Sequence, residues 1–326
     1  MTWRSRLWLA LKIVITLGLL ASVFLDTGLR AKLATLPAPS APSWIPVAWL
    51  CAGIYELASL VRFWACLQLN GLAIPLRRVA LLHFAGLFVS LFLPGTAGGD
   101  ALKLGLIVLQ FRDRKLSAVL ALLLDRLSGF IVIVAWTAIV AVARGEWFAR
   151  SAFANGTLRT VLLVAGPLAG SLVLWFAVSR TGLMRTRIPP FPFRDRIRQC
   201  EAVFDTIARR WQMSALIFGA AAMAFAAHFL LFHFAALAFG APLALADSFS
   251  AMPLIDMVTM LPITIAGLGL REHAFQQIFA PLCGLSAGHA VSTSLGGFII
   301  GSTWALLGAA AFLYIRPAIK NVPANV

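Results

Sequence analysis

The sequence predicts an all-α, polytopic membrane protein, and three observations support this. The 326 residues are 61% hydrophobic and only 12% charged, whereas soluble domains carry about 45–50% apolar and about 25% charged residues. Six apolar segments reach the roughly 20 residues that a helix needs to cross a bilayer core of about 30 Å. Two further apolar stretches are interrupted by proline and glycine. A soluble enzyme, a disordered tail, a coiled coil and a disulfide scaffold are excluded.

The six predicted spans are residues 7–25, 44–69, 117–143, 158–178, 214–239 and 289–315. The first follows Trp3-Arg4-Ser5-Arg6 and superficially resembles a signal peptide. It leads into Leu25-Asp26-Thr27 without a small-x-small cleavage site, so we expect an uncleaved first span.

The two interrupted stretches predict a different kind of element. Residues 79–93 and 101–111 flank a Pro-Gly-Thr-Ala-Gly-Gly segment, and residues 248–261 and 270–283 flank a second Pro- and Gly-containing segment. Each piece is too short for a comfortable crossing, and broken backbone at membrane depth must be buried in protein or line a wet cavity. We interpret both as re-entrant helical hairpins; two short tilted spans joined by an ordinary turn are the alternative.

The distribution of basic residues predicts cytoplasmic N- and C-termini. With that orientation Lys and Arg concentrate in the cytoplasmic segments, above all in the arginine-rich residues 179–213, as the positive-inside rule requires. The two hairpins then enter from opposite faces, so residues 44–143 and 214–315 form an inverted repeat within a single transmembrane domain covering 1–326. Such repeats place a substrate site near the bilayer midplane.

Residues 180–213 have the pattern of an amphipathic helix on the inner surface that either collects anionic lipids or only fixes topology.

The hairpin tips are the predicted binding region. The returning helices are expected to start near Asp100 and Leu270, where unpaired amides and a positive dipole end suit an anion such as phosphate. Gly98, Gly99, Gly267 and Gly269 would let a headgroup approach the backbone, or would serve tight helix packing instead.

Charged residues inside the predicted spans and hairpins are further candidates, because each costs about 2.5–3.5 kcal/mol on insertion scales. The basic ones are Lys12, Arg62, Lys103, Arg126 and Arg271, and the acidic ones are Glu56, Asp100, Asp125, Asp256 and Glu272. Asp100 and Lys103 are spaced to pair on one helix face. Adjacent Asp125 and Arg126 diverge, so each should find a partner on another helix. Ion pairs that only hold the bundle together are the alternative reading.

Among these residues, arginines are the best candidates to guide a phosphate, because a guanidinium binds it in a bidentate manner. We single out Arg62, Arg126 and Arg271 for this role. The complete predicted substrate-binding set is Arg62, Gly98, Gly99, Asp100, Lys103, Asp125, Arg126, Gly267, Gly269, Arg271 and Glu272.

Other chemistry has little support in the sequence. The five histidines lack ligand spacing, and we expect them to be packed or hydrogen-bonded, with proton coupling as a lesser option. The four cysteines are expected to be free thiols, and no metal, cofactor, nucleic-acid or catalytic motif is visible. The net charge of +15 is explained by the positive-inside bias. Gly297 and Gly301 form a GxxxG that serves either a homodimer or internal packing.

Several of these residues together resemble the lysylphosphatidylglycerol synthase transmembrane, or flippase-like, family. The resemblance covers about residues 10–315 and rests on Arg62, Gly71, Leu93-Pro94-Gly95 with Gly98-Gly99-Asp100, Asp125-Arg126, and Leu261-Pro262 with Gly267-Leu268-Gly269-Leu270-Arg271-Glu272. It implies lipid translocation. Because the chain ends soon after Tyr314-Ile315, we expect a stand-alone member without the aminoacyltransferase domain of fused relatives, and no lysyl transfer.

These observations favour a flippase or scramblase, not an enzyme, for a lipid with an anionic phosphate headgroup in a bacterial inner membrane. Phospholipids and polyprenyl-phosphate-linked sugars are such lipids. Without an ATP motif, transport is expected to be passive or ion-coupled. Two rivals are a secondary transporter of a small anion and a non-transporting partner of a lipid- or glycan-synthesis enzyme.

Overall fold

The structure, a computed structural model, describes residues 39–91, 97–180, 209–260 and 270–320, and within these ranges it is helical with turns and no strand. The helices are α1 (Trp44–Leu69), α2 (Leu76–Ser90), α3 (Ala97–Gln110), α4 (Lys115–Ala143), α5 (Gly145–Ala149), α6 (Ala152–Arg180), α7 (Trp211–Ala238), α8 (Leu245–Thr259), α9 (Leu270–Ala274), α10 (Ala280–Cys283) and α11 (Ala287–Lys320). A 3₁₀ turn (Arg112–Arg114) precedes α4, and a π-helical turn (Phe275–Phe279) joins α9 to α10.

Five of the described helices are long and apolar enough to cross a membrane. They are Trp44–Leu69, Arg112–Ala143, Ala152–Leu174, Trp211–Ala238 and Ala287–Tyr314. They match five of the six predicted spans. The helix that corresponds to the predicted span 158–178 begins earlier, at Ala152. The predicted first span 7–25 and residues 181–208 of the predicted amphipathic loop lie outside the described residues.

The short helices lie between these spans, where the interrupted stretches were predicted. At 1.5 Å per residue, α2 and α3 are roughly 22 and 21 Å long, less than a bilayer core of about 30 Å. They run antiparallel, because Ser90 at the end of α2 lies against Gly99 near the start of α3, whereas Gly86, one turn earlier in α2, lies against Lys103, one turn later in α3. The described part of the first returning helix starts at Ala97, close to the predicted Asp100, and that of the second starts at Leu270, each directly after residues outside the described ranges. The connecting residues 92–96 and 261–269 lie outside the described residues.

The turns that follow α1 and α7 have the same backbone geometry. Gly71 and Gly240 both have φ +74°, in the left-handed region that glycine tolerates best. Leu72 N–H donates to Leu67 O at 2.9 Å, and Ala241 N–H donates to Ala236 O at 2.9 Å. Both are Schellman caps, which satisfy the last carbonyls of the helix. The following helices, α2 and α8, both contain 15 residues.

The two long helices that begin these similar segments, α1 and α7, pack against each other in antiparallel directions. Trp44 at the start of α1 stacks on Phe234 near the end of α7, with ring centroids 5.3 Å apart. Cys66 near the end of α1 shares a buried cluster with Ile217 near the start of α7. Segments 44–143 and 211–320 therefore contact each other through α1 and α7, which run in opposite directions.

The last long helix, α11, packs along both segments through glycines and aromatic rings. Gly308 contacts the Phe84 carbonyl of α2, and Gly53 of α1 contacts the ring of Trp304. Gly297 faces the ring of Phe232 and Gly301 faces Leu231, both on α7. Of the two roles left open for this GxxxG pair, the structure assigns internal packing.

The repeated Schellman caps give a stability prediction. Gly71→Ala places a Cβ at φ +74°, which costs about 1–2 kcal/mol, and Gly240→Ala does the same in the second segment. Each variant should lower the midpoint of thermal unfolding in detergent. Gly105→Ala in α3 is the control, since its Cβ would meet no atom within 4 Å. A midpoint in Gly71→Ala equal to that of Gly105→Ala would contradict the assigned turn.

Candidate functional site

The predicted charges of the first segment form one cluster, which we call the α1–α3–α4 cluster. It contains Arg62 of α1, Asp100 and Lys103 of α3, and Asp125 and Arg126 of α4. Arg62 donates to Asp125 through Nε at 2.8 Å and Nη2 at 3.5 Å. Both side chains are buried, with exposed fractions of 12% and 5%. Asp125 thus finds its partner on another helix, as predicted.

The other half of the cluster is centred on Asp100. Its carboxylate pairs with Lys103 Nζ at 3.4 Å, the predicted i, i+3 pair, and also with Arg126 of α4. Lys103 Nζ also lies 5.2 Å from the ring centroid of Phe63. Arg126 differs from its neighbours because its side chain is 45% exposed. Its guanidinium is therefore anchored by a carboxylate and is not enclosed by the described residues.

The charges of the second segment form a smaller group around Arg271 of α9. Arg271 Nε donates to Ser294 Oγ of α11 at 3.1 Å, and Nη2 lies 3.4 Å from Glu272 Oε1. Ser294 Oγ in turn donates to Glu272 Oε1 at 2.9 Å. The guanidinium stacks over Phe298, 4.5 Å from its ring centroid. With 12% exposure, Arg271 is held more firmly than Arg126.

Two histidine–carboxylate pairs lie halfway along the long helices, and the predicted site residues did not include them. His83 Nε2 of α2 lies 3.0 Å from Glu56 Oε2 of α1. His228 Nε2 of α7 lies 3.3 Å from Asp256 Oδ1 of α8. Each pair joins the first long helix of a segment to the short helix after it. In the first segment the long helix carries the acid, and in the second segment the long helix carries the histidine. The signal in the sequence was Glu56 and Asp256, acids in apolar helices without a nearby basic residue.

Tyr55 links the two segments at this level. Its ring lies over His228 with centroids 5.1 Å apart. It is within electrostatic range of Arg62 and Arg126 in the first segment and of Asp256 in the second. Asp256 also acts electrostatically on Arg271. Polar groups therefore form a series from the α1–α3–α4 cluster, through Tyr55 and the two histidine pairs, to Arg271. We call this series the polar chain.

The predicted glycines are resolved only in part. A Cβ at Gly99 would collide with the Gly86 carbonyl and with Ser90 Oγ, so Gly99 permits close packing of α2 on α3. Gly98 is half-buried at the start of the same helix. Gly267 and Gly269 lie outside the described residues. For Gly99, the structure favours the packing role over contact with a headgroup.

The remaining histidines and cysteines have the expected surroundings. His233 Nδ1 lies 3.0 Å from Ser248 Oγ, His289 Nδ1 lies 3.1 Å from Ser286 Oγ, and the His273 ring contacts Phe153. Cys51, Cys66 and Cys283 are free thiols, as predicted; Cys200 lies outside the described residues. Within the described ranges no group of three or more His, Cys, Asp or Glu side chains is arranged to hold a metal ion.

The fold and the site together define a class of protein: a multi-pass helical membrane protein with a chain of ionisable groups inside its helix bundle. The family model described as "Lysylphosphatidylglycerol synthase TM region" matches residues 9–310 of this chain. The chain belongs to that family, and the resemblance seen in its sequence is confirmed. A comparison with curated proteins finds no similar sequence.

The buried Arg62–Asp125 pair gives a prediction about stability. Removing one partner of a buried pair leaves an uncompensated charge and costs about 3–5 kcal/mol, so Arg62→Gln should strongly lower the thermal unfolding midpoint. The Arg62→Gln/Asp125→Asn double variant should be more stable than Arg62→Gln, because neither charge is then left alone. Arg126→Gln is the control, since half-exposed Arg126 should cost little. Equal losses in Arg62→Gln and Arg126→Gln would contradict a structural role for Arg62.

Proposed function

We propose that this protein translocates a lipid with an anionic, phosphate-containing headgroup across the bacterial inner membrane. The headgroup passes along the polar chain inside the helix bundle, and the acyl or prenyl tails stay in the bilayer. Transport is passive or ion-coupled and involves no covalent chemistry. The observation that carries the proposal is Arg126, a half-exposed guanidinium anchored by Asp100 and near the middle of a membrane-spanning helix.

The proposed architecture is an inverted repeat containing two re-entrant hairpins. The matched Schellman caps, the equal lengths of α2 and α8, and the antiparallel packing of α1 on α7 support the repeat. Helices of about 21–22 Å support the re-entrant interpretation. With the termini in the cytoplasm, the hairpin formed by α2 and α3 enters from the cytoplasmic face and that formed by α8, α9 and α10 from the opposite face.

The positions of the charges along the helices support a path through the bundle. At 1.5 Å per residue, Arg62 lies roughly 10 Å from the end of α1, and Ser294 roughly 10 Å from the start of α11. Arg114 donates to the Gly71 carbonyl, which places the end of α1 beside the start of α4. Gly296 packs against Phe239, which places the first part of α11 beside the end of α7. The two charged groups thus lie towards opposite faces, with the histidine pairs between them.

The charge balance of the α1–α3–α4 cluster suits an anion. The cluster contains three basic and two acidic side chains, so its net charge is +1. One negative charge on a bound ligand would balance it. Arg62 is already paired with Asp125 and Lys103 is buried, so we assign contact with the ligand to Arg126. A guanidinium can bind phosphate through two parallel hydrogen bonds while keeping a further donor for Asp100.

A groove between α2 and α11 supports a lipid rather than a small soluble anion. It has a volume of about 540 Å³ and apolar walls, including Phe84 and Leu307, with Arg77 and Tyr314 also lining it. Leu307 and Tyr314 are 56% and 71% exposed, so the groove opens on the outer surface of the bundle. A tail could lie there with its phosphate near Arg77. A small-anion transporter needs no apolar groove on its outer surface.

A reconstitution assay tests the proposal. The full chain is placed in phosphatidylcholine vesicles with a trace of acyl-labelled phosphatidylglycerol, and dithionite reports how fast the probe reaches the outer leaflet. The wild type should exceed protein-free vesicles. Arg126→Gln should lower the rate roughly tenfold, because a hydrogen bond to a charged group contributes about 1.5–3 kcal/mol and 1.4 kcal/mol is a factor of ten. Arg126→Lys should retain part of the rate.

Arg159→Gln is the matched control, because Arg159 is an exposed arginine on α6, away from the polar chain. The rate in this variant should equal that of the wild type. A panel that includes a polyprenyl-phosphate sugar and a zwitterionic lipid separates headgroup classes. The proposal fails if the wild type matches protein-free vesicles for every lipid. Wild-type rates in vesicles of Arg126→Gln would remove Arg126 from the mechanism.

A further inference from the structure

The two histidine–carboxylate pairs have a feature that ordinary packing does not explain. Within the described part of the chain, His83 Nδ1, His228 Nδ1 and Asp256 Oδ2 are buried side-chain atoms without a hydrogen-bond partner. Buried polar atoms are nearly always paired, since leaving one unpaired costs free energy. His83 is 6% exposed and Asp256 is 9% exposed, so surface water does not satisfy them.

The geometry assigns a chemical state to each pair. An ionised carboxylate only accepts hydrogen bonds, so the imidazole nitrogen facing it, Nε2, must carry a hydrogen. In the neutral ring, Nδ1 then has a lone pair and can take a proton. A pair with a neutral ring has a net charge of −1, and the same pair with a proton on Nδ1 is neutral overall.

This change of charge matters because of where the pairs lie. Glu56 and Asp256 flank the middle of the polar chain, on either side of Tyr55 and His228. An anionic headgroup passing this point meets two negatively charged pairs when the rings are neutral, and two neutral pairs when both rings hold a proton. Protonation therefore removes the repulsion that opposes the anion.

We propose that the Glu56–His83 and His228–Asp256 pairs are proton-binding sites, and that proton uptake on imidazole Nδ1 admits the anionic headgroup to the middle of the bundle. The inference rests on the proposed function. The proton comes from water on the side from which the headgroup starts and returns to water on the other side, so the proton and the anion move in the same direction. Imidazole suits this role because its charge changes between about pH 5 and pH 8.

The surrounding charges distinguish the two pairs. Near the two pairs lie Tyr55 and Arg62 of α1, Lys103 of α3 with its partner Asp100, Asp125 and Arg126 of α4, and Arg271 of α9 with its partner Glu272. Burial opposes a positive charge on His83, and Lys103 opposes it as well, whereas the hydrogen bond to Glu56 and the charge of Asp125 favour it. His228 contacts the rings of Tyr55 and Phe232 and pairs with Asp256, so the His228–Asp256 pair is the better one to test.

The test measures translocation of acyl-labelled phosphatidylglycerol in vesicles with equal pH on both sides, at about pH 6 and about pH 8. The wild type should be faster at the lower pH by about tenfold, which corresponds to 1.4 kcal/mol. Asp256→Asn removes the negative charge of one of the two pairs for good, so it should be faster than the wild type at pH 8 and should depend less on pH, and Glu56→Gln should shift in the same direction. His228→Gln leaves Asp256 negative at both pH values, so it should stay slower than the wild type at pH 6.

His289→Gln is the matched control, because His289 bonds Ser286 next to the start of α11 and lies outside the two pairs; it should keep the pH dependence of the wild type. The gain of rate expected in Asp256→Asn cannot be produced by misfolding. Wild-type translocation that ignores pH, or an Asp256→Asn variant that keeps the wild-type pH dependence, overturns the proton-binding sites alone. An absence of translocation at every pH overturns the proposed function and the coupling with it.

Discussion

The structure depends on one constraint, which is that an ionised side chain inside the bilayer must have a partner. Each such charge costs about 2.5–3.5 kcal/mol on insertion scales, and this bundle contains several. Arg62 is neutralised by Asp125, Asp100 by Lys103 and Arg126, and Arg271 by Glu272 with Ser294 as a bridge. These pairs join α1, α3 and α4 in one group and α9 and α11 in the other. The same contacts that stabilise the bundle thus build a polar interior.

The proposed function depends on the places where this neutralisation is incomplete. Arg126 is the half-exposed member of a cluster with one more basic than acidic residue. The acids of the middle level, Glu56 and Asp256, have histidines instead of arginines as hydrogen-bond partners. A permanent cation would fix the charge of these pairs, whereas an imidazole leaves it variable. Fixed pairs towards the two faces and variable pairs between them suit the passage of an anion.

Much of this arrangement could be predicted from the sequence, and the parts that could not have physical reasons. Span length, hairpin interruptions and the Asp100–Lys103 pair depend on local spacing, which a sequence displays. The partner of Asp125 lies 63 residues away in the sequence. That this partner is on another helix could be predicted, but that it is Arg62 could not. Gly99 was assigned to ligand contact or packing, and only the position of the Gly86 carbonyl decides between them. Tyr55 and the two histidine pairs were missed because their partners come together only when α1 packs on α2 and α7, and when α7 packs on α8.

The central claim is that Arg126 lies in an aqueous cavity inside the membrane and meets anionic headgroups there. The most direct measurement is the reactivity of a single cysteine at this position, Arg126→Cys, in a chain whose four native cysteines are replaced. A membrane-impermeant thiol reagent should label it in vesicles. A cysteine at Ile139, exposed on the same helix, is the comparison for a lipid-facing position and should stay unlabelled. Equal, negligible labelling at both positions would contradict the account.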